Sequence, residues 1–130
     1  MKKFVIDTQA LIKFLNGKKV ISDSVESILK DTDAGKNIII IPSVVLFEIC
    51  YLQEKGRIPI ALKDIEEIIE NSFNYVEEKL SLNIIKAAFA IKDIPELHDR
   101  LIAGTAKYLD LPLITNDPVI LSNAFVHCVK

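Results

Sequence analysis

Ile38-Ile39-Ile40-Ile41, followed at once by Pro42-Ser43, is the stretch of this chain that decides its fold. Four consecutive β-branched residues without polar alternation read as a strand buried on both faces, as in a parallel sheet with helices on either side. Parallel neighbours need long crossover connections, usually helical, and the flanking sequence supplies them. Upstream, Phe4 to Ile6 reads as a short buried strand. A helix then runs through Ala10-Leu11-Ile12-Lys13-Phe14-Leu15 and stops at Asn16-Gly17, and an amphipathic helix spans Val20 to Asp33 and ends before Gly35. Downstream, Pro42-Ser43 opens a helix with Ser43 as its N-cap, which reaches about Lys55 and ends at Gly56. Ala61 to Phe73 and Leu82 to Lys92 have helical spacing, with a strand at Tyr75-Val76-Glu77-Glu78 between them. Asp99 to Leu109 is a further helix, Pro112 to Thr115 a strand, and Phe125 to Val129 a last, edge strand.

Strands separated by helices in this order predict a three-layer α/β/α sandwich with a mainly parallel central sheet, connected by right-handed crossovers. At 130 residues the chain is the size of one domain, taken here as residues 1–130. Charges interrupt every window long enough to span a bilayer, and the start Met1-Lys2-Lys3-Phe4-Val5-Ile6-Asp7 has no signal-peptide apolar stretch. These features predict a protein without membrane association. Cys50 and Cys128 form no metal-type pair, which fits reduced thiols in a cytoplasm.

Four acids stand against apolar segments: Asp7 after Phe4-Val5-Ile6, Glu48 within Val44-Val45-Leu46-Phe47-Glu48-Ile49-Cys50-Tyr51-Leu52, Asp99 before Leu101-Ile102-Ala103, and Asp117 after Leu113-Ile114. A carboxylate in such company is costly to bury unless it is paired, hydrogen-bonded or bound to a metal. In parallel α/β sheets the ligand crevice lies at the carboxyl ends of the strands. Asp7 and Asp117 fall on that rim, and Glu48 and Asp99 can reach it from helices. Helix capping alone would account for Asp7 and for Asp117 before Pro118, and a favourable first-turn charge would account for Asp99. Glu48 lies mid-helix and resists that explanation; its plain reading is an ion pair with Arg57 or a lysine.

Other chemistries are disfavoured. His98 and His127 lack zinc-type spacing. No Gly-x-Ser-x-Gly elbow surrounds Ser43, and with four glycines the chain has neither a P-loop nor a Gly-x-Gly-x-x-Gly. The net charge of −2, from 16 basic and 18 acidic residues, gives no basic footprint. With the four acids set aside as metal ligands the remainder carries +2, so composition leaves a nucleic-acid substrate open.

Taken together, Phe4-Val5-Ile6-Asp7-Thr8, Pro42-Ser43-Val44-Val45-Leu46-Phe47-Glu48-Ile49, Ile94-Pro95-Glu96-Leu97-His98-Asp99-Arg100-Leu101-Ile102-Ala103-Gly104-Thr105-Ala106 and Leu113-Ile114-Thr115-Asn116-Asp117 resemble the PIN-domain family. The chain is most similar in size to its VapC-type toxins of prokaryotic toxin–antitoxin pairs. The resemblance implies an endoribonuclease dependent on Mg²⁺ or Mn²⁺, with Asp7, Glu48, Asp99 and Asp117 as catalytic metal-binding acids. Thr115 matches the family's hydroxyl residue near the last acid and is placed to donate its hydroxyl to a carboxylate or to substrate, and Arg100 on the rim is expected to grip substrate. RNA, a cognate antitoxin and a second copy of the chain are the implied partners. Gly104 stands where alanine is usual, which would loosen its helix by up to about 1 kcal/mol. Two alternatives are weighed beside this reading: a PIN-like module that binds RNA or protein without cleavage, and an aspartyl phosphotransfer or receiver-type domain using Asp7. The latter leaves Glu48 unexplained.

Overall fold

A computed structural model describes residues 1–17, 22–122, 126, 128 and 129. The elements follow in the order β1 (Lys2–Ile6), α1 (Thr8–Leu15), α2 (Asp23–Asp33), β2 (Asn37–Pro42), α3 (Ser43–Glu54), α4 (Leu62–Asn71), β3 (Tyr75–Glu78), α5 (Leu82–Ala90), α6 (Leu97–Leu109), β4 (Leu113–Ile114), α7 (Pro118–Leu121) and β5 (Cys128–Val129). The expected helix from Val20 begins at Asp23 among the described residues, capped by the Ser22 hydroxyl; Val20, Phe125 and His127 lie outside them. Among the described residues no helix is long and apolar enough to cross a membrane.

The sheet has the order β3-β2-β1-β4-β5 and every pairing is parallel. The isoleucine run lies inside it, with Ile39, Ile40 and Ile41 all buried. Successive side chains point to opposite faces, so this burial requires cover on both sides, and the sandwich has three layers. Val5 and Ile6 of β1 are fully buried for the same reason. The chain passes from β1 outward through β2 to β3, then returns to place β4 on the other side of β1. That reversal leaves a crevice between the carboxyl ends of β1 and β4, the position where open α/β sheets bind ligands.

Two local readings are corrected. Ser43 is the first residue of α3 rather than its N-cap, and its hydroxyl donates to Glu77 Oε2 (3.0 Å) and to the Glu78 carbonyl (3.1 Å), tying α3 to β3. Gly104 does not loosen α6. A Cβ built there would lie 2.5 Å from Ala88 Cβ, 2.7 Å from Ala88 Cα and 2.8 Å from Ala88 N, so α5 crosses α6 where only hydrogen fits. Arg100 secures the same crossing: its Nε donates to the Ala88 carbonyl (2.8 Å) and its Nη2 to the Phe89 carbonyl (2.7 Å) at the open end of α5.

The Gly104→Ala substitution is therefore expected to destabilise the protein by about 1–3 kcal/mol through overpacking, overriding a helix-propensity gain of about 1 kcal/mol. Denaturant unfolding checks this; a midpoint that holds or rises would mean α5 yields without cost.

Candidate active site

The crevice is built first by β1 and β4. Their register sets Ile6 beside Ile114, so the next residues, Asp7 and Thr115, are neighbours. Asp7 is buried and caps α1, its Oδ1 accepting from Ala10 N–H (2.8 Å), while its Oδ2 accepts the Thr115 hydroxyl proton. The same hydroxyl oxygen accepts from Asp117 N–H (3.0 Å). Asp117 in turn caps α7, its Oδ1 accepting from Val119 N–H (2.9 Å) and Ile120 N–H (3.1 Å). One threonine thus fixes two acids, and the capping roles hold without removing either acid from the crevice.

Glu48 and Asp99 approach from the helices. Among the described residues Glu48 has no ion pair with Arg57 or a lysine; its Oε1 accepts from the hydroxyl of Thr8 (2.7 Å), the first residue of α1. Asp99 sits in the first turn of α6, but Glu96 performs the capping, with Oε2 accepting from Asp99 N–H (2.7 Å) and Oε1 paired with His98 Nδ1 (2.8 Å). The Asp99 carboxylate is left without a protein hydrogen bond among the described residues, as are Glu48 Oε2 and Asp117 Oδ2.

All four acids line a single cleft of about 310 Å³, together with Thr8, Gln9, Lys13, Ile102 and Asn116. Their proximity registers electrostatically. Asp99 is pushed up to about 6, by partial burial first and then by the charges of Asp117, Glu96, Glu48 and Asp7. Burial also raises Asp7, opposed by the Thr115 hydroxyl, and raises Glu48, opposed by the Thr8 hydroxyl. The pair beside them behaves oppositely: the Glu96 carboxylate lifts His98, while hydrogen bonds from Asp99 N–H and His98 hold Glu96 low against its desolvation.

An all-oxygen donor set under mutual repulsion suits a hard divalent cation. No group of three His, Cys, Asp or Glu among the described residues is already drawn to coordination distances.

Of the two readings of Thr115 the carboxylate one is met: it is 2 % exposed, its hydroxyl donates to Asp7 and accepts from Asp117 N–H, and it positions both acids. Arg100 points its guanidinium at α5 and is not among the cleft residues. Conversely, sequence reasoning passed over Thr8 and Glu96 as positioning residues. The available signals were a hydroxyl directly after the first strand acid and a carboxylate three residues before Asp99, the N-cap spacing.

A consequence follows for the metal-free protein. The folded value for Asp99 lies above its ordinary 3.8, so between about pH 4 and 6 the native state holds a proton that the unfolded chain releases, and stability is lost as pH rises through 6. In EDTA at pH 7, Asp99→Asn is expected to be more stable than the wild type by roughly 1 kcal/mol, a value discounted for the half-exposed position. The gap should close near pH 4. A variant no more stable at pH 7, measured by thermal unfolding, would deny the repulsion.

The family model of the PIN domain matches residues 4–126. Comparison with curated proteins matches none at a significant level. Among solved structures, a chain of the DNA-bound VapBC2 complex of Rickettsia felis is similar at 19% identity and a TM-score of 0.72, over 98% of this chain and 97% of that one. A toxin–antitoxin complex from Klebsiella pneumoniae gives 17% identity and 0.68, over 97% and 95%. DNA-bound VapBC from Salmonella typhimurium gives 19% and 0.68, over 99% and 98%. At these identities the structures attest to the shared fold, and the sequence match, spanning nearly the whole chain, shows that this protein belongs to the PIN-domain family.

Proposed function

We propose that this chain is a divalent-metal-dependent endoribonuclease, the toxin of a toxin–antitoxin pair, acting in the cytoplasm as a single PIN domain. The observation that carries this reading is the arrival of Asp7, Glu48, Asp99 and Asp117, from four separate elements, in one cleft at the carboxyl ends of β1 and β4. Nothing in the packing of the core requires four carboxylates at one place; their mutual repulsion costs stability, and a bound cation would relieve it. The receiver-type alternative needs an aspartate at the strand end and gives Glu48 no role, whereas here Thr8 is spent on aiming it into the cleft. The similar toxin–antitoxin complexes support an antitoxin as partner.

The principal ion ligands would be Asp7 and Asp99, with Glu48 and Asp117 completing the site directly or through water. Asp7 is pre-oriented, since Thr115 and Ala10 N–H each hold one oxygen and leave further lone pairs, the supporting arrangement that fixes metal-ligating carboxylates. A bound Mg²⁺ or Mn²⁺ would supply Lewis-acid polarisation of the phosphodiester and an acidified water as nucleophile. Glu48 Oε2 and Asp117 Oδ2, without hydrogen-bond partners among the described residues, would accept the proton of an attacking water as its oxygen bonds to phosphorus, while one ribose P–O bond breaks and the leaving oxygen takes a proton from solvent.

An apolar face supports self-association. Phe47 and Tyr51 on α3, Leu82, Ile85 and Phe89 on α5 and Leu97 on α6 are exposed, Phe47 and Phe89 to 67% and 69%. α6 packs against both of the other helices. Exposed large side chains on adjoining helices are the mark of an interface, and a second copy of the chain is its proposed occupant.

The decisive experiment is cleavage of a structured RNA pool by partner-free protein with Mg²⁺, Mn²⁺ or EDTA. Wild type is expected to cleave only with metal, and folded Asp99→Asn to be slower by about 100-fold or more, beyond the usual loss for a residue that merely supports a ligand. Equal cleavage by the variant would refute the site. A pH profile adds a second check. Because protons compete with the ion for carboxylates, activity should fall as pH drops through about 6, the value for Asp99, and the midpoint should move to lower pH as metal is raised. A midpoint indifferent to metal would contradict this role.

A further inference from the structure

We propose that Lys13, with Gln9 and Asn116 beside it on the cleft wall, is the phosphate-binding element that holds a single-stranded RNA chain across the acidic cluster. This deepens the ribonuclease reading and rests on it. Gln9 and Lys13 stand four residues apart on α1 and so share one face of that helix; both line the cleft, as does Asn116 from the far side of the β1–β4 crevice. Among the described residues none of the three side chains has a hydrogen bond or ion pair, and Gln9 and Asn116 are exposed. They are polar groups facing the site with capacity unused.

Charge gives Lys13 its particular place. Among the described residues it is the one cation of the cleft, set against four acids, so the described wall is three charges negative before any ion binds. A single divalent cation leaves it still one charge negative, and without Lys13 it would be two. A phosphodiester entering such a cleft needs a positive contact, and Arg100, the other candidate, is committed to α5. Lys13 is half-buried and lines the cleft, and it lies near enough to Asp7 to favour the ionised carboxylate. The amides of Gln9 and Asn116 can each donate and accept, which suits ribose hydroxyls and base edges in an unpaired strand.

The test is equilibrium binding of a single-stranded RNA oligonucleotide in Mg²⁺ over a salt series, with Asp99→Asn as parent so that the RNA survives. Adding Lys13→Gln should weaken binding several-fold and reduce the slope of log affinity against log salt by about 0.7, the loss of one phosphate contact to a single strand. Lys13→Arg should restore the slope, and Lys63→Gln, exposed on α4 outside the cleft, should leave affinity unchanged. If otherwise wild-type Lys13→Gln cleaves RNA with unchanged KM and the salt slope does not move, the Lys13 assignment falls and the ribonuclease reading stands. If the wild type neither cleaves nor binds RNA, both fall together.

Discussion

The parallel pairing of β1 with β4 is the constraint on which the site depends. It is short, two residues on each strand, yet among the described residues it is the strand pairing that joins β1 to the last third of the chain, across more than a hundred residues. Registering Ile6 with Ile114 places Asp7 and Thr115 side by side, and one hydroxyl then holds Asp7 and the Asp117 backbone together. A slip of one residue in a pleated strand turns every side chain to the opposite face. Such a slip would bury Asp7 or Thr115 in the wrong layer, so the hydrophobic pattern that fixes the register also fixes the chemistry.

The two threonines show how the chain eases charge repulsion without an ion pair to any of the four acids among the described residues. A neutral hydroxyl donating to a carboxylate stabilises the ionised form while adding no net charge to the cleft. Thr8 does this for Glu48 and Thr115 for Asp7. Ion pairs in their place would have consumed the negative charge that makes the cleft attractive to a cation. Among the described residues Asp99 has no such helper, and its carboxyl is pushed up to about 6.

Much of this was legible in the sequence because it follows from local pattern. The isoleucine run declared a doubly covered strand, and β3 falls on Tyr75–Glu78 as the strand propensity there suggested. The four acids stood out by their apolar surroundings, and the crevice rule for α/β sheets sufficed to bring them together. What was not legible were the long-range partners. Whether Glu48 meets a lysine or a threonine, whether Arg100 turns toward the cleft or toward α5, and whether Gly104 weakens a helix or admits a neighbour are decided by side chains dozens of residues away or on another element. Single-residue propensity speaks only to the isolated helix, and at Gly104 it pointed the wrong way because the crossing with Ala88 outweighs it.

That crossing also joins the protein's exterior to its interior. With no side chain between them at Gly104, and with the Arg100 guanidinium donating to the Ala88 and Phe89 carbonyls, α5 and α6 meet backbone to backbone. The exposed Phe89 ring, which carries the Lys92 ammonium 3.8 Å from its centre, and Asp99 in the cleft therefore stand at two ends of one interlocked helix pair.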